Sequence, residues 1–261
     1  MFKFNFNLHS GEAVEISKLE RDRGEAQKCI EHEVECHVHP EIQILQTEGL
    51  SHVSSGDALD KMEAKPDYLS QQSDLLKNVY EGGMKIWECS IDLVRYLNTI
   101  PKFEFENVLE IGCGAALPAL FCLNKKSVKK LHLQDFNPEV IEHITKPNLK
   151  LNQVENEERQ VRLFSGDWLD FSARMESEKQ KYDLILTSET IYQEDNYHKL
   201  TRLFQHLLSE KGQILLAAKI HYFGVGGGLR TFEQTLSKWN YRTVFQNEDS
   251  VKREIIQIKW K

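Results

Sequence analysis

From residue 107 onward the chain alternates short apolar segments of strand character with helix-forming segments, and this constrains the fold more than any other feature of the sequence. Strands are predicted over residues 107–111, 130–134, 161–164, 182–187 and 213–219. Helices are predicted near 117–123, over 138–152 and 197–208, and from the glycines at 224–228 to a point near Trp239. Such alternation specifies a parallel sheet with helices on both faces. The end of the chain breaks the rule, because strands 241–245 and 253–260 are joined only by the short polar stretch 246–252. Parallel neighbours need a crossover of about a dozen residues or more, so this pair must be an antiparallel hairpin. The expected fold class is α/β: a doubly wound, mostly parallel seven-strand sheet closed by a C-terminal antiparallel hairpin. A helix over residues 84–98 precedes it, with Ile86, Ser90, Leu93 and Leu97 on one face, Gly82-Gly83 before it and Pro101 after it.

The first 72 residues differ in texture. They show no sustained helical or strand period, and only residues 41–45 resemble a strand. They carry 14 Asp+Glu against 7 Lys+Arg, so the whole net charge of −7 lies here, while residues 73–261 hold 26 of each sign. The expected division is a weakly ordered acidic N-terminal arm, 1–72, and one α/β domain, 73–261. A neutral body lacks the clustered basic surface that a broad grip on nucleic acid requires. An acidic arm suits a basic protein partner. No stretch reaches the ~18–20 uncharged apolar residues of a membrane span. Residues 1–10 lack the apolar run of a secretory signal, so the cytoplasm and nucleus, nucleolus included, are the expected locations. Five cysteines without paired spacing read as free thiols. Cys29, His32, Cys36, His37 and His39 match no common structural-zinc spacing, and no metal is expected. A monomer is the expected state.

The chemistry collects at strand ends. The first strand of the alternation runs Val108-Leu109-Glu110-Ile111 into Gly112-Cys113-Gly114-Ala115-Ala116. Glycines there permit a sharp turn from strand to helix and close approach of a cofactor, although they also suit an ordinary tight turn. Glu110 could hold the turn amides or the amino group of a methionine moiety. The third glycine of a dehydrogenase fingerprint is absent, since Leu117 stands in its place. Asp135, ending the second strand, has the acceptor-only carboxylate that suits a ribose diol. Asp167 and Trp168, after Gly166, offer an acceptor for an adenine amino group and a ring to pack on it, with burial of Trp168 in the core as the alternative. The fourth strand ends in Ser188-Glu189-Thr190-Ile191-Tyr192, where Glu189 is either a positioning group or a helix-cap carboxylate. The glycine-rich stretch 221–228 reads as a mobile substrate loop or as plain turn chemistry.

Ser73-Asp74-Leu75, Val79-Tyr80-Glu81-Gly82-Gly83 and Lys85-Ile86-Trp87-Glu88-Cys89-Ser90 resemble the opening segment of the histidine protein methyltransferase family, within the wider family-16 methyltransferase-like group. The similarity runs on through 109–114, Gln134-Asp135-Phe136-Asn137, Ser165-Gly166-Asp167-Trp168, 182–192 and 221–228, nearly all of residues 73–261. In the arm it is confined to Phe4-Asn5-Phe6. The resemblance implies a class I, Rossmann-like methyltransferase using S-adenosyl-L-methionine. It also implies that the acceptor is an imidazole nitrogen of a histidine in a large-subunit ribosomal protein. Together with Glu110, the residues expected to line the cofactor are Ile86, Trp87, Glu88, Cys89, Ser90, Gly112, Gly114, Gln134, Asp135, Phe136, Gly166, Asp167, Trp168 and Ser188. Ala116 departs from the family's three-glycine pattern.

The acceptor sets the mechanism. A histidine with pKa near ~6.5 attacks in its neutral form at pH 7, whereas a lysine near ~10.4 must first lose a proton at a cost of roughly 4.6 kcal/mol. A histidine enzyme therefore needs mainly an orienting group on the other ring nitrogen. Glu189, Tyr192, His221 and Tyr222 are the candidates. The competing readings are a protein-lysine methyltransferase of the same superfamily, a non-catalytic cofactor-binding factor in ribosome assembly and, more remotely, a nicotinamide-dependent oxidoreductase.

Overall fold

A computed structural model describes residues 29–32, 81–152 and 160–261 of the chain. After a short strand β1 (Ile30–His32) and a helix α1 (Glu88–Asn98) come β2 (Asn107–Ile111), α2 (Leu117–Leu123) and β3 (Lys130–Asp135). A broken helix follows: α3 (Pro138–Val140) continues through the π-helical segment Ile141–Thr145 into α4 (Lys146–Leu151). Then come β4 (Gln160–Ser165), α5 (Trp168–Ser177), β5 (Tyr182–Ser188), a 3₁₀ turn (Glu194–Asn196), α6 (Tyr197–Leu207) and β6 (Leu208–Lys219). The short α7 (Leu229–Glu233) and the hairpin β7 (Trp239–Gln246) and β8 (Arg253–Trp260) end the chain.

The strands form one sheet in the order β1-β4-β3-β2-β5-β6-β8-β7. The five strands β4 to β6 in that order run parallel, and β8 and β7 join antiparallel, as the short connection between them requires. Successive side chains point to opposite faces. Val108, Leu131 and Leu184 therefore pack under α1 and α2, while Leu109, Ile185 and Phe164 pack against Phe171 of α5 and Leu203 and Phe204 of α6. Chain order reverses between β2 and β5. In parallel sheets ligands bind beyond the carboxyl ends at such a switch point.

Three expectations are corrected. The seven expected strands are present, and Ile30–His32 of the arm adds an eighth at the edge, antiparallel to β4. Glu31 is held by Arg162 at 2.6 Å and by Arg174, and His32 sits 2.7 Å from both Glu142 and the Ser165 hydroxyl. Helix α5 was not expected, because its short sequence buries only Phe171, Ser172 and Met175. The last helix stops at Glu233, short of Trp239, which stacks on Trp260 at 4.3 Å as the first residue of β7. The expected strand at 41–45 lies outside the described residues, as do Cys36, His37 and His39.

The π segment has a local cause. Pro147 cannot donate a backbone hydrogen bond, and its ring crowds the carbonyl one turn back. The widened turn carries Thr145, whose hydroxyl donates to the Gly114 carbonyl at 2.7 Å and fastens this helix to the turn after β2.

Candidate active site

The carboxyl ends of β2, β3, β4 and β5 open onto a cleft covered on one side by residues 81–87 and the start of α1. Its floor is the turn after β2. Gly112 has φ 62° there, and a side chain would bring its Cβ within 2.6 Å of the Thr190 methyl, so the site requires glycine. Ala116 takes a left-handed conformation, φ 59°, where the third glycine was expected. Its methyl is fully buried, and it leads directly into α2.

Glu110 does not face the cleft. The alternation along β2 directs it under α2, where its Oε2 accepts the Ala119 amide at 2.8 Å. Burial holds this carboxyl well above the usual carboxylate range. It braces the turn from behind.

Asp135 stands at the cleft. Its Oδ2 accepts the Gly114 amide at 2.9 Å and its Oδ1 the Asn137 amide at 3.2 Å. Burial raises its pKa to about 6 despite these amides. An ionised carboxylate has about four acceptor sites, so two amides leave room for a diol. The neighbouring Gln134 does not line the cleft. Its Nε2 donates to the carbonyls of Gly166 at 2.7 Å and Asp135 at 2.9 Å, and its Oε1 accepts the Trp168 indole N–H at 3.1 Å. Gln134 and Gly166 thus fix Trp168, which with Phe136 forms a cleft wall. Asp167 lines the cleft with its acceptors partly engaged: Oδ1 caps α5 through the Leu169 amide at 2.8 Å and Oδ2 pairs with Lys199 at 2.6 Å.

On the α1 side Ile86, Trp87 and Ser90 line the cleft. The Trp87 indole donates to the Gly82 carbonyl at 3.0 Å, and the Ser90 hydroxyl to the Trp87 carbonyl at 2.7 Å. Helical geometry turns the intervening residues away. Cys89 is fully buried in the core, and Glu88 reaches Lys219 at 3.6 Å.

The opposite end of the cleft is built by Ser188, Glu189, Tyr192 and Tyr222. Glu189 follows β5 with φ 59°, and its amide donates to Ala217 at 3.0 Å. It caps no helix, since the next helical turn begins at Glu194. Neither carboxylate oxygen is in hydrogen-bonding geometry with a described residue, and Lys219 supplies a countercharge at 3.4 Å. Burial, reinforced by the charge of Glu189, pushes the Tyr222 hydroxyl and the Cys89 thiol well up, so both stay protonated. The Tyr192 and Tyr222 rings meet edge to face at 6.3 Å. His221, the fourth candidate, does not reach the cleft; it is exposed and packs on Phe223 at 5.0 Å.

Of the expected residues, Ile86, Trp87, Ser90, Gly112, Gly114, Asp135, Phe136, Asp167, Trp168, Ser188, Glu189, Tyr192 and Tyr222 come together at the cleft, whereas Glu88, Cys89, Glu110, Gln134, Gly166 and His221 stand behind or beside it. Sequence reasoning missed Gly82, Gly83, Asn196, Lys199 and Lys219. Gly82-Gly83 ahead of a helix was a usable signal, as was a lysine ending a strand on the same sheet edge. Nothing in the sequence singles out Asn196 or Lys199, which α6 and the turn before it bring to the cleft.

A family profile described as "Lysine methyltransferase", Methyltransf_16, matches residues 66–226. The histidine protein methyltransferase 1 homolog of Bos taurus is 42% identical over 220 residues, 74% of this chain and 59% of that protein. The homolog of Dictyostelium discoideum is 40% identical over 197 residues, 73% of this chain and 62% of that protein. The chain spans about three fifths of the length of these relatives. Among solved structures, SMU.776 in complex with SAH superposes with a TM-score of 0.51 at 15% identity, over 67% of this chain and 50% of that one. At such identity the likeness concerns the fold.

Proposed function

The chain belongs to the Methyltransf_16 family of methyltransferases, and from that premise we propose that it transfers a methyl group from S-adenosylmethionine to an imidazole nitrogen of a protein histidine. The observation that carries this reading is the Glu189 carboxylate, buried in the cleft wall beside Lys219 with neither oxygen hydrogen-bonded to a described residue. Support also comes from the identity to histidine protein methyltransferases.

The residues present fit the cofactor. The turn at Gly112 and Gly114 permits close approach, Asp135 has acceptor sites for the ribose hydroxyls, and Phe136 and Trp168 offer apolar walls for the adenine. The bound cofactor supplies an activated methyl group on a sulfonium, so the protein's work is alignment, exclusion of water and management of one proton. Glu189 accepts the N–H of the non-reacting ring nitrogen, which turns the other nitrogen's lone pair toward the cofactor end of the cleft. As positive charge develops on the ring, this contact strengthens, and the same carboxylate then takes the proton. Tyr192 and Tyr222 form the aromatic walls on which the ring lies. Tyr222 remains neutral and is not the proton acceptor.

The acceptor protein on this reading is a basic large-subunit ribosomal protein, approached by the acidic arm in the cytoplasm or nucleus. The test is incubation with labelled cofactor and total ribosomal protein, then hydrolysis and identification of the labelled amino acid. Methylhistidine in a large-subunit protein is expected. Label in methyllysine would favour the second reading, a lysine acceptor, which the description of the matched family suggests. An absence of label would overturn the enzymatic reading.

A further inference from the structure

The loop from Ile220 to Gly228 carries the most exposed large apolar side chain among the described residues, Phe223, at 88% exposure, with Val225 at 43% beside it. An aromatic so exposed forfeits most of the free energy that its burial would supply. The loop is nevertheless well anchored. The Tyr222 amide donates to the Gly227 carbonyl at 2.9 Å, the Gly226 amide to the Tyr222 carbonyl at 3.2 Å, and the Gly227 amide to the Tyr192 carbonyl at 3.1 Å. Its base is also packed against the cleft, since a Cβ on Gly227 would stand 2.4 Å from the Ile191 carbonyl oxygen and 2.5 Å from the Tyr192 carbonyl carbon. Phe223 is therefore presented from a fixed base, one residue beyond the cleft-lining Tyr222. The chain leaving Tyr192, on which this base rests, bears exposed Glu194 and Asp195 before Asn196 returns to the cleft wall.

We infer that Phe223 and Val225 form the docking point for the polypeptide flanking the acceptor residue. That partner is a basic segment with an apolar side chain near the methylated position. The apolar residue covers Phe223, and the basic residues answer Glu194. The commitment to this occupant comes from continuity: the loop and the acceptor end of the cleft share the contact between Gly227 and Tyr192. This inference rests on the proposed methylation of a protein.

The test uses the full chain, labelled S-adenosylmethionine and acid-extracted large-subunit ribosomal protein as the probe. For Phe223→Ser combined with Val225→Ser, the apparent KM for the protein fraction should rise about tenfold or more, the size expected for loss of an aromatic anchor. Saturated turnover should stay within about twofold, and cofactor affinity by calorimetry should not change. Incorporation by wild type with an unchanged KM in the variant overturns the docking point alone. No incorporation by wild type overturns the methylation reading and the docking point with it. A dimer of the wild-type chain in sedimentation that the substitutions dissolve would assign the surface to a second copy and also overturn it.

Discussion

The Nζ of Lys219 lies 3.4 Å from Oε1 of Glu189 and 3.6 Å from Oε2 of Glu88. One ammonium at the end of β6 thus balances two carboxylates, one at the tip of β5 and one at the start of α1. It also lies 4.9 Å from the Trp87 ring and 5.7 Å from the Tyr222 ring. Removing it would leave Glu189 a buried charge without its partner. Lys219→Met should lower single-turnover methylation by about ten- to a hundredfold, leave cofactor affinity within about threefold, and be partly rescued by Lys219→Arg. Equal losses in the Met and Arg variants would contradict a charge-balancing role.

The proposed contact of Asp135 with the cofactor ribose would link cofactor binding to pH. The Asp135 carboxyl titrates at about 6 because burial disfavours the charge, and only the ionised form offers acceptors to both ribose hydroxyls. Cofactor affinity should therefore be full near pH 7.5 and weaken about tenfold per unit below about 6. Asp135→Ala should abolish binding while the protein stays folded. Calorimetry at pH 7.5 and pH 5 decides this, and equal affinities would remove the ribose assignment.

His132 and Asp135 act on stability in the same pH window with opposite signs. Burial lowers the His132 pKa from 6.5 to about 4, so the unfolded chain binds more protons and stability is lost as pH falls through that window, by roughly 3 kcal/mol. Burial raises Asp135 from 3.8 to about 6, so the folded chain binds more protons and a similar stability, roughly 3 kcal/mol, is lost as pH rises from about 4 to 6. The two nearly cancel in the cofactor-free protein. His132→Leu, at some cost from losing the 2.7 Å contact to the Tyr182 hydroxyl, should lose stability with rising pH between 4 and 6 relative to wild type. Asp135→Asn should gain it. Urea midpoints across that range test the pair, and variant profiles parallel to wild type would contradict both assignments.

The sheet was legible because short apolar strands alternate with helices, and the closing hairpin because the seven residues 246–252 cannot make a crossover. Register then brought Gly112, Asp135, Gly166 and Ser188 to one edge. Side-chain direction was less legible. Glu110 and Gln134 sit in the site's own motifs, yet one braces α2 and the other orients Trp168, because each answers a backbone group that only the folded turn or sheet edge brings to it. Strand β1 was hidden for a similar reason: three residues carry no period, and their partners Arg162, Ser165 and Arg174 lie more than a hundred residues away.

Gly227 couples the loop, through the Tyr192 carbonyl, to the end of the cleft proposed to take the acceptor. The Cβ of Gly227→Ala would meet the backbone of Ile191 and Tyr192 at 2.4–2.5 Å, so that backbone must move. Turnover should fall by about tenfold or more while cofactor affinity changes little, since the displaced residues lie at the acceptor end. Parallel losses in both would show that the loop serves general stability.

On the proposed mechanism a neutral imidazole, held by Glu189, attacks without prior deprotonation. Single-turnover methylation measured against pH, for wild type and Glu189→Gln, tests it most directly. The wild-type rate should rise as the substrate histidine loses its proton near ~6.5 and then level off. Glu189→Gln should be slower at every pH, with cofactor affinity preserved. A wild-type rate that keeps climbing about tenfold per unit through pH 8–9 would contradict the claim and assign the reaction to a lysine acceptor.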